Sequence, residues 1–169
     1  KTTFRLAYSN LFNKGLLPNT TLRRDFVSLR VNSQITNAFS IEGRVNYNNQ
    51  RTHNRPQTSG SPSNIFAQYQ TMPRSVHISD MNPYEDQEGA MVLWQPMFYS
   101  TLRNPYWVLY KDFNNDQSDR FLTMIQLEYK FTDWLKLQVR HGMDMRQTFT
   151  ESANAYGIRD LGSGALNFT

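Results

Sequence analysis

The sequence predicts an all-β protein of antiparallel, up-and-down strands, and three observations carry that reading. Several long stretches alternate strictly between apolar and polar residues, the period of a strand with two unlike faces. The stretches are joined by connections that are alternately very short and very long. The composition agrees: 11 Phe and 9 Tyr in 169 residues give an aromatic content of 14%, and aromatic residues favour strands.

Five strands follow in order. Residues 2–9 (TTFRLAYS) set Phe4, Leu6 and Tyr8 against Thr3, Arg5, Ala7 and Ser9. Residues 24–35 set Val27, Leu29 and Val31 against Ser28, Arg30 and Asn32. Residues 39–50 set Phe39, Ile41, Gly43, Val45 and Tyr47 against Ser40, Glu42, Arg44, Asn46 and Asn48. Residues 119–131 set Phe121, Thr123, Ile125, Leu127, Tyr129 and Phe131 against Met124, Gln126, Glu128 and Lys130. Residues 135–150 set Leu135, Leu137, Val139, Met143 and Met145 against Lys136, Gln138, Arg140, Asp144 and Arg146.

These strands exceed the usual soluble length of about 5–6 residues and reach the roughly 9–11 that a tilted membrane strand needs. Two connections are tight: TNAF at 36–39 and TDWL at 132–135, where Asn37 and Asp133 suit a turn because their side chains can bond the nearby backbone. The others are long, 10–23 and 50–118. Short turns at one end and long loops at the other are the pattern of an outer-membrane barrel, with the long loops extracellular. Phe39, Phe131, Trp134 and Leu135 then belong to an aromatic girdle at the turn end, with Tyr47 and Phe149 nearer the other. A soluble antiparallel sandwich explains the alternation equally well, but it accounts less well for the strand lengths and for a loop of nearly 70 residues.

Charge and composition exclude other classes. Mean hydropathy is −0.65, and no apolar run approaches the 18 residues of a membrane helix. There is no Cys, so neither disulfides nor thiolate chemistry arise. The net charge of +4 is spread along alternating strands rather than gathered in a run, which argues against nucleic acid as a partner. KTTFRLAYSN has no apolar core of a signal peptide, and a start inside a strand suggests a piece of a mature protein.

The 50–118 loop is rich in large residues, among them Phe66, Tyr69, Tyr84, Trp94, Phe98, Tyr99, Tyr106, Trp107 and Tyr110, so it reads as folded, with its own small core. IFAQYQTM is expected as a short helix capped by Ser63 or Asn64 and stopped by Pro73. Tyr84, Trp94, Tyr99, Tyr106, Trp107 and Tyr110 are the candidates for contact with a cargo or a partner, since aromatic rings beside Asn suit sugar or peptide recognition.

No catalytic constellation emerges, and the chain is not expected to be an enzyme. Asp112, Asn114 and Asp116 begin like an EF-hand loop, but Gln117 and Thr123 stand where its Gly and bidentate Glu are required. His53, His77 and His141 follow no ligand spacing. No cofactor or metal is expected.

The stretches FRLAYSNLFNKGLLPNTTLRRDFVSLRVNSQIT, VNYNNQRTHNRP, SPSNIFAQYQTMPRSV and NPYWVLYKDFNNDQSDRF together resemble the SusC/RagA family of TonB-dependent outer-membrane transporters of Bacteroidetes. The resemblance covers roughly residues 3–145 and leaves the last 20 unplaced. It implies a 22-stranded barrel closed by an N-terminal plug, a SusD-like surface lipoprotein as lid, TonB acting through the plug, and an oligosaccharide or peptide as cargo. Loops of the family can hold calcium, though no residue set here supports it. This chain shows no plug, so 1–169 would be part of the barrel wall. Val27, Leu29, Val31, Ile41, Val45, Ile125, Leu127, Leu137 and Val139 would then face lipid. Arg30, Glu42, Arg44, Asn46, Gln126, Glu128, Arg140 and Arg146 would face the lumen, with the four arginines paired to acids on the plug or neighbouring strands rather than to cargo. The alternative is a soluble or cell-surface β-rich glycan-binding module.

Overall fold

The structure, a computed structural model, describes residues 1–61, 63–93, 103–159 and 166–167. It is all-β in its main architecture. Five antiparallel strands, β1 (Thr2–Lys14), β2 (Thr21–Gln34), β3 (Phe39–His53), β4 (Phe113–Lys130) and β5 (Lys136–Ala153), form one open sheet in chain order. A separate ribbon pairs β6 (Ile158–Arg159) with β7 (Leu166–Asn167). Between β3 and β4 lie α1 (Ile65–Thr71), a 3₁₀ turn at Ile78–Met81 and α2 (Pro105–Tyr110).

The strands run 13 to 18 residues, longer than the alternation indicates. The expected 10–23 connection shrinks to a turn between Lys14 and Thr21. Asn10–Lys14 carries no alternation, so the pattern stops there while the backbone ladder continues. The Gly15 N–H bonds the Thr20 carbonyl at 2.9 Å, and the Thr20 hydroxyl bonds the Leu17 carbonyl at 2.7 Å. A Cβ on Gly15 would lie 1.9 Å from the Thr20 Oγ1, so any larger residue there would displace the Thr20 hydroxyl from this closure. The 50–118 loop is likewise shortened from both ends, by β3 and β4.

The two tight turns are built alike, though by a different residue from the one anticipated. Thr36 Oγ1 accepts from the N–H groups of Ala38 and Phe39, and Thr132 Oγ1 accepts from that of Leu135. Threonine therefore holds each turn. Asp133 instead receives the Lys130 ammonium.

The chain divides into two compact units. The first comprises Lys1–Asn13, Leu22–Arg51 and Asp116–Phe149; the second comprises Lys14–Thr21, Thr52–Asn115 and Thr150–Thr169. Burial differs sharply between them. Among the described residues, every buried apolar side chain (Ile65, Met81, Ala90, Met91, Trp107, Val108 and Leu109) belongs to the second unit. In that unit Ile65 of α1 packs with Val108 and Leu109 of α2, with Leu17 and Tyr69 against them. α1 starts as its sequence suggests: the Asn64 side chain accepts from the N–H groups of Phe66 and Ala67, satisfying donors that a helix start leaves open. Asn104 caps α2 through the Tyr106 N–H, with Pro105 in the first turn.

Candidate functional site

Two places in the molecule concentrate chemistry: the two faces of the sheet in the first unit, and the aromatic and polar cluster of the second.

On the polar face of the sheet, all eight side chains expected to look into a lumen are engaged by partners on the sheet itself. Glu42 of β3 accepts from Arg30 of β2 at 2.8 Å and from Arg44 at 3.4 Å. Asn46 accepts from the Ser28 hydroxyl at 2.7 Å. Arg140 of β5 donates to Gln126 of β4 at 2.9 Å, and Lys136 lies 3.6 Å from Glu128. Arg146 donates to Ser118 at 3.0 Å, and Arg120 pairs with Asp144 through two bonds. Cross-strand pairs of this kind stabilise neighbouring strands.

The opposite face is uncovered and mainly apolar, with His141 of β5 set among Leu29, Val31, Val45 and Ile125. None of the nine residues expected to face lipid is buried. Phe4, Leu6, Ile125, Leu137, Val139 and Met145 stand exposed on it. At the turn end Phe39 and Phe131 both pack on Tyr129, with ring centroids 6.4 and 4.8 Å apart, and Trp134 is 82% exposed. At the far end Tyr47 and Phe121 lie 4.5 Å apart.

That far end holds an arrangement that sequence reading missed. The hydroxyl of Tyr8 and the amide of Asn10 both donate to Asp25 Oδ1, each at 2.7 Å. The hydroxyl of Tyr47 and the amide of Asn49 both donate to Asp119 Oδ1, each at 2.6 Å. The second carboxylate oxygen of each takes one more donor, Arg23 at 3.2 Å for Asp25 and Gln117 at 3.1 Å for Asp119. The signal was present in the sequence as YSN at 8–10 and YNN at 47–49, facing R-x-D at 23–25 and Q-x-D at 117–119. The alternation does not reveal it, because both aspartates sit at positions that the strand pattern gives to apolar residues.

In the second unit three of the six candidate contact residues converge. Tyr110 stacks on Tyr84 at 5.8 Å and on Tyr106 at 6.5 Å, the latter pair within 3° of parallel. Tyr110 is 47% exposed, and Tyr84 and Tyr106 are half-buried, so the stack is open to solvent in part. Lys111 lies beside it, paired with Glu85 at 2.7 Å and 5.7 Å from the centre of the Trp107 ring. Trp107 itself corrects the expectation of a contact residue: at 1% exposure it is core, because α2 turns its Trp107–Leu109 side inward. Trp94 and Tyr99 lie outside the described residues.

Beside the α1–α2 core is a cavity of about 260 Å³, lined by Leu17, Asn54, Ile65, Leu109, Arg103 and Asp112 among others. Arg103 is its organiser. One guanidinium nitrogen reaches Ser63 Oγ at 3.0 Å, Asp112 Oδ2 at 3.0 Å and Asn154 Oδ1 at 2.7 Å. The other Asp112 oxygen accepts from the Ala155 N–H at 2.9 Å. Burial holds the Asp112 carboxyl above the usual aspartate range, against the opposing pull of the Ala155 N–H and Arg103. Burial also raises the Tyr69 hydroxyl. Asn54 donates to the Leu109 carbonyl at 3.0 Å, so the polar lining is largely satisfied from within. Among the described residues no three His, Cys, Asp or Glu side chains gather as a metal would need. Asp112, first residue of the EF-hand-like stretch, is committed to Arg103 and Ala155.

Compared with known proteins, the chain matches no protein-family model and no curated protein sequence.

Proposed function

We propose that the chain is a section of the wall of a large, 22-stranded outer-membrane β-barrel of the SusC/RagA type, serving TonB-dependent import of an oligosaccharide or peptide beneath a SusD-like lipoprotein. The observation that carries this reading is the unequal burial of the two units. The sheet has an apolar face of large side chains and, among its described residues, buries no apolar side chain. In water that exposure is costly, at roughly 25 cal/mol per Å² of apolar surface left uncovered. Against lipid it costs nothing. The polar face, cross-linked by Arg30–Glu42 and its neighbours, has the character of a barrel interior. Both sheet edges, β1 and β5, are long strands available for further pairing, and in a bilayer such edges must be closed by further strands. In this reading the tyrosine stack of the loop unit, Tyr84, Tyr106 and Tyr110, is the candidate contact for a cargo or the lid.

A surface glycan-binding module is the second reading, and the self-contained core and cavity of the second unit favour it. The two separate on the source polypeptide. Denaturing mass measurement on detergent-extracted outer membranes should find this sequence inside a chain several times 19.8 kDa, and disrupting its gene should abolish uptake of one oligosaccharide or peptide class. A water-soluble polypeptide near 19.8 kDa would overturn the transporter reading and leave the module.

A further inference from the structure

The two Tyr–Asp–Asn triads occupy an unusual place. Asp25 and Asp119 share the alternation of Val27 and Leu29 on β2 and of Phe121 and Ile125 on β4, at the level where that face passes from apolar to polar side chains, with Asn10, Arg23, Asn49 and Gln117 beside them. A carboxylate there is tolerable only if its oxygens are satisfied where water is scarce. Both are met in the same manner: a tyrosine hydroxyl and an asparagine amide on Oδ1, and an Arg or Gln donor on Oδ2. The device is used twice, across β1–β2 and across β3–β4, each time at the end remote from the tight turns. Tyrosine is the residue that joins an apolar body to a polar tip.

The length of apolar strand below the triads matches a hydrocarbon layer. Phe39 to Tyr47 spans eight residues of β3, and Phe131 to Phe121 spans ten of β4. At about 3.3 Å per residue these are ~26 and ~33 Å along the strand. With a strand tilt of about 40°, the vertical span is ~20–25 Å, close to the ~25 Å apolar band of such barrels.

We propose that the two triads, Tyr8–Asp25–Asn10 and Tyr47–Asp119–Asn49, mark the level at which the apolar layer of the membrane gives way to lipid headgroups. The sheet face below them contacts acyl chains, and the face above them contacts the headgroup layer. This assignment rests on the membrane reading above and adds to it the depth at which the chain sits.

These 169 residues hold no cysteine, so once any cysteine elsewhere in the polypeptide is replaced by serine a direct test is simple. Single cysteines carrying a nitroxide are placed along one face of β3, at Ile41, Gly43, Val45, Arg51 and His53, in the protein reconstituted into phospholipid vesicles. Collision with oxygen, which concentrates in hydrocarbon, is compared with collision with a water-soluble nickel chelate. Oxygen should dominate at 41, 43 and 45, the chelate at 51 and 53, with the inversion between 45 and 51. A parallel series on β2 should invert between Val27 and Thr21. Oxygen dominance at 41–45 with the inversion displaced to other positions, or at unequal levels on the two strands, would overturn the triads as boundary while leaving the membrane reading standing. Chelate access or shielding from both reagents at 41–45 would sink the membrane reading and this assignment together.

Discussion

Tyr47 on β3 donates a 2.6 Å hydrogen bond to Asp119 on β4, joining residues 72 positions apart at the end of the sheet remote from the tight turns. Asn49, itself buried, shares the same carboxylate oxygen. Replacing Tyr47 with Phe keeps the ring contact with Phe121 and deletes only this bond. The expected loss is about 1.5–3 kcal/mol, the usual net worth of a hydrogen bond to a charged group. Amide exchange should rise locally in β3 and β4 around 47–49 and 117–121 and stay unchanged in the second unit.

The two sheet faces should respond oppositely to charge. Ile125→Arg puts a cation in the middle of the apolar face of β4. If that face meets lipid, folding into vesicles should weaken by about 2–4 kcal/mol. Gln138→Arg, on the polar face of β5, should cost far less. Equilibrium folding titrations of both variants in lipid measure the difference, and equal costs would refute the face assignment.

Trp107 and Tyr110 lie three residues apart on α2 and should separate stability from recognition. Trp107→Ala removes a fully buried ring and should destabilise the second unit by about 3–5 kcal/mol, read as a lowered unfolding midpoint. Tyr110→Ala removes a half-exposed ring and should leave that midpoint almost unmoved. If the tyrosine stack meets cargo or lid, Tyr110→Ala should instead weaken cargo uptake or lid association.

Asp112 should give the second unit a pH response of the less common sign. Its carboxyl is raised in the folded state, burial being the main cause. A raised group contributes stability that is fully present below the unfolded value of about 4 and is lost as pH rises through the folded value. Asp112→Asn does not titrate. The unfolding midpoint of the native protein, taken relative to that variant, should therefore fall as pH rises from below about 4. A difference that instead grows with pH would show that the Arg103 pairing outweighs burial.

Gly157 has φ of +96°, and a Cβ there would stand 2.5 Å from the Gly89 carbonyl oxygen. Its own carbonyl accepts from the Met91 N–H at 2.9 Å. Gly157→Ala should cost on the order of 1–3 kcal/mol through backbone strain, with thermal unfolding as the measure. Gly60→Ala, with open space around it, is the control.

Much of this molecule is determined locally, and those parts were legible. Alternation at 39–47 and 121–131 reports directly on which face each side chain takes, because the strand period is two and needs no partner to be read. Asn64 and Pro73 bracket α1 by local backbone chemistry alone. Strand ends were not legible, because pairing of Asn10–Lys14 depends on what lies opposite and not on its own pattern. Nor was the fate of Trp107, since the many aromatic residues of one loop look alike until α1 and α2 pack and bury Trp107. The Arg103 cluster draws on Ser63, Asp112 and Asn154, and the Asp119 triad joins residues 72 apart. Hydrogen bonds over such separations leave no period in a sequence. Only the tertiary structure brings those donors to those carboxylates, because it alone decides which distant backbones lie side by side.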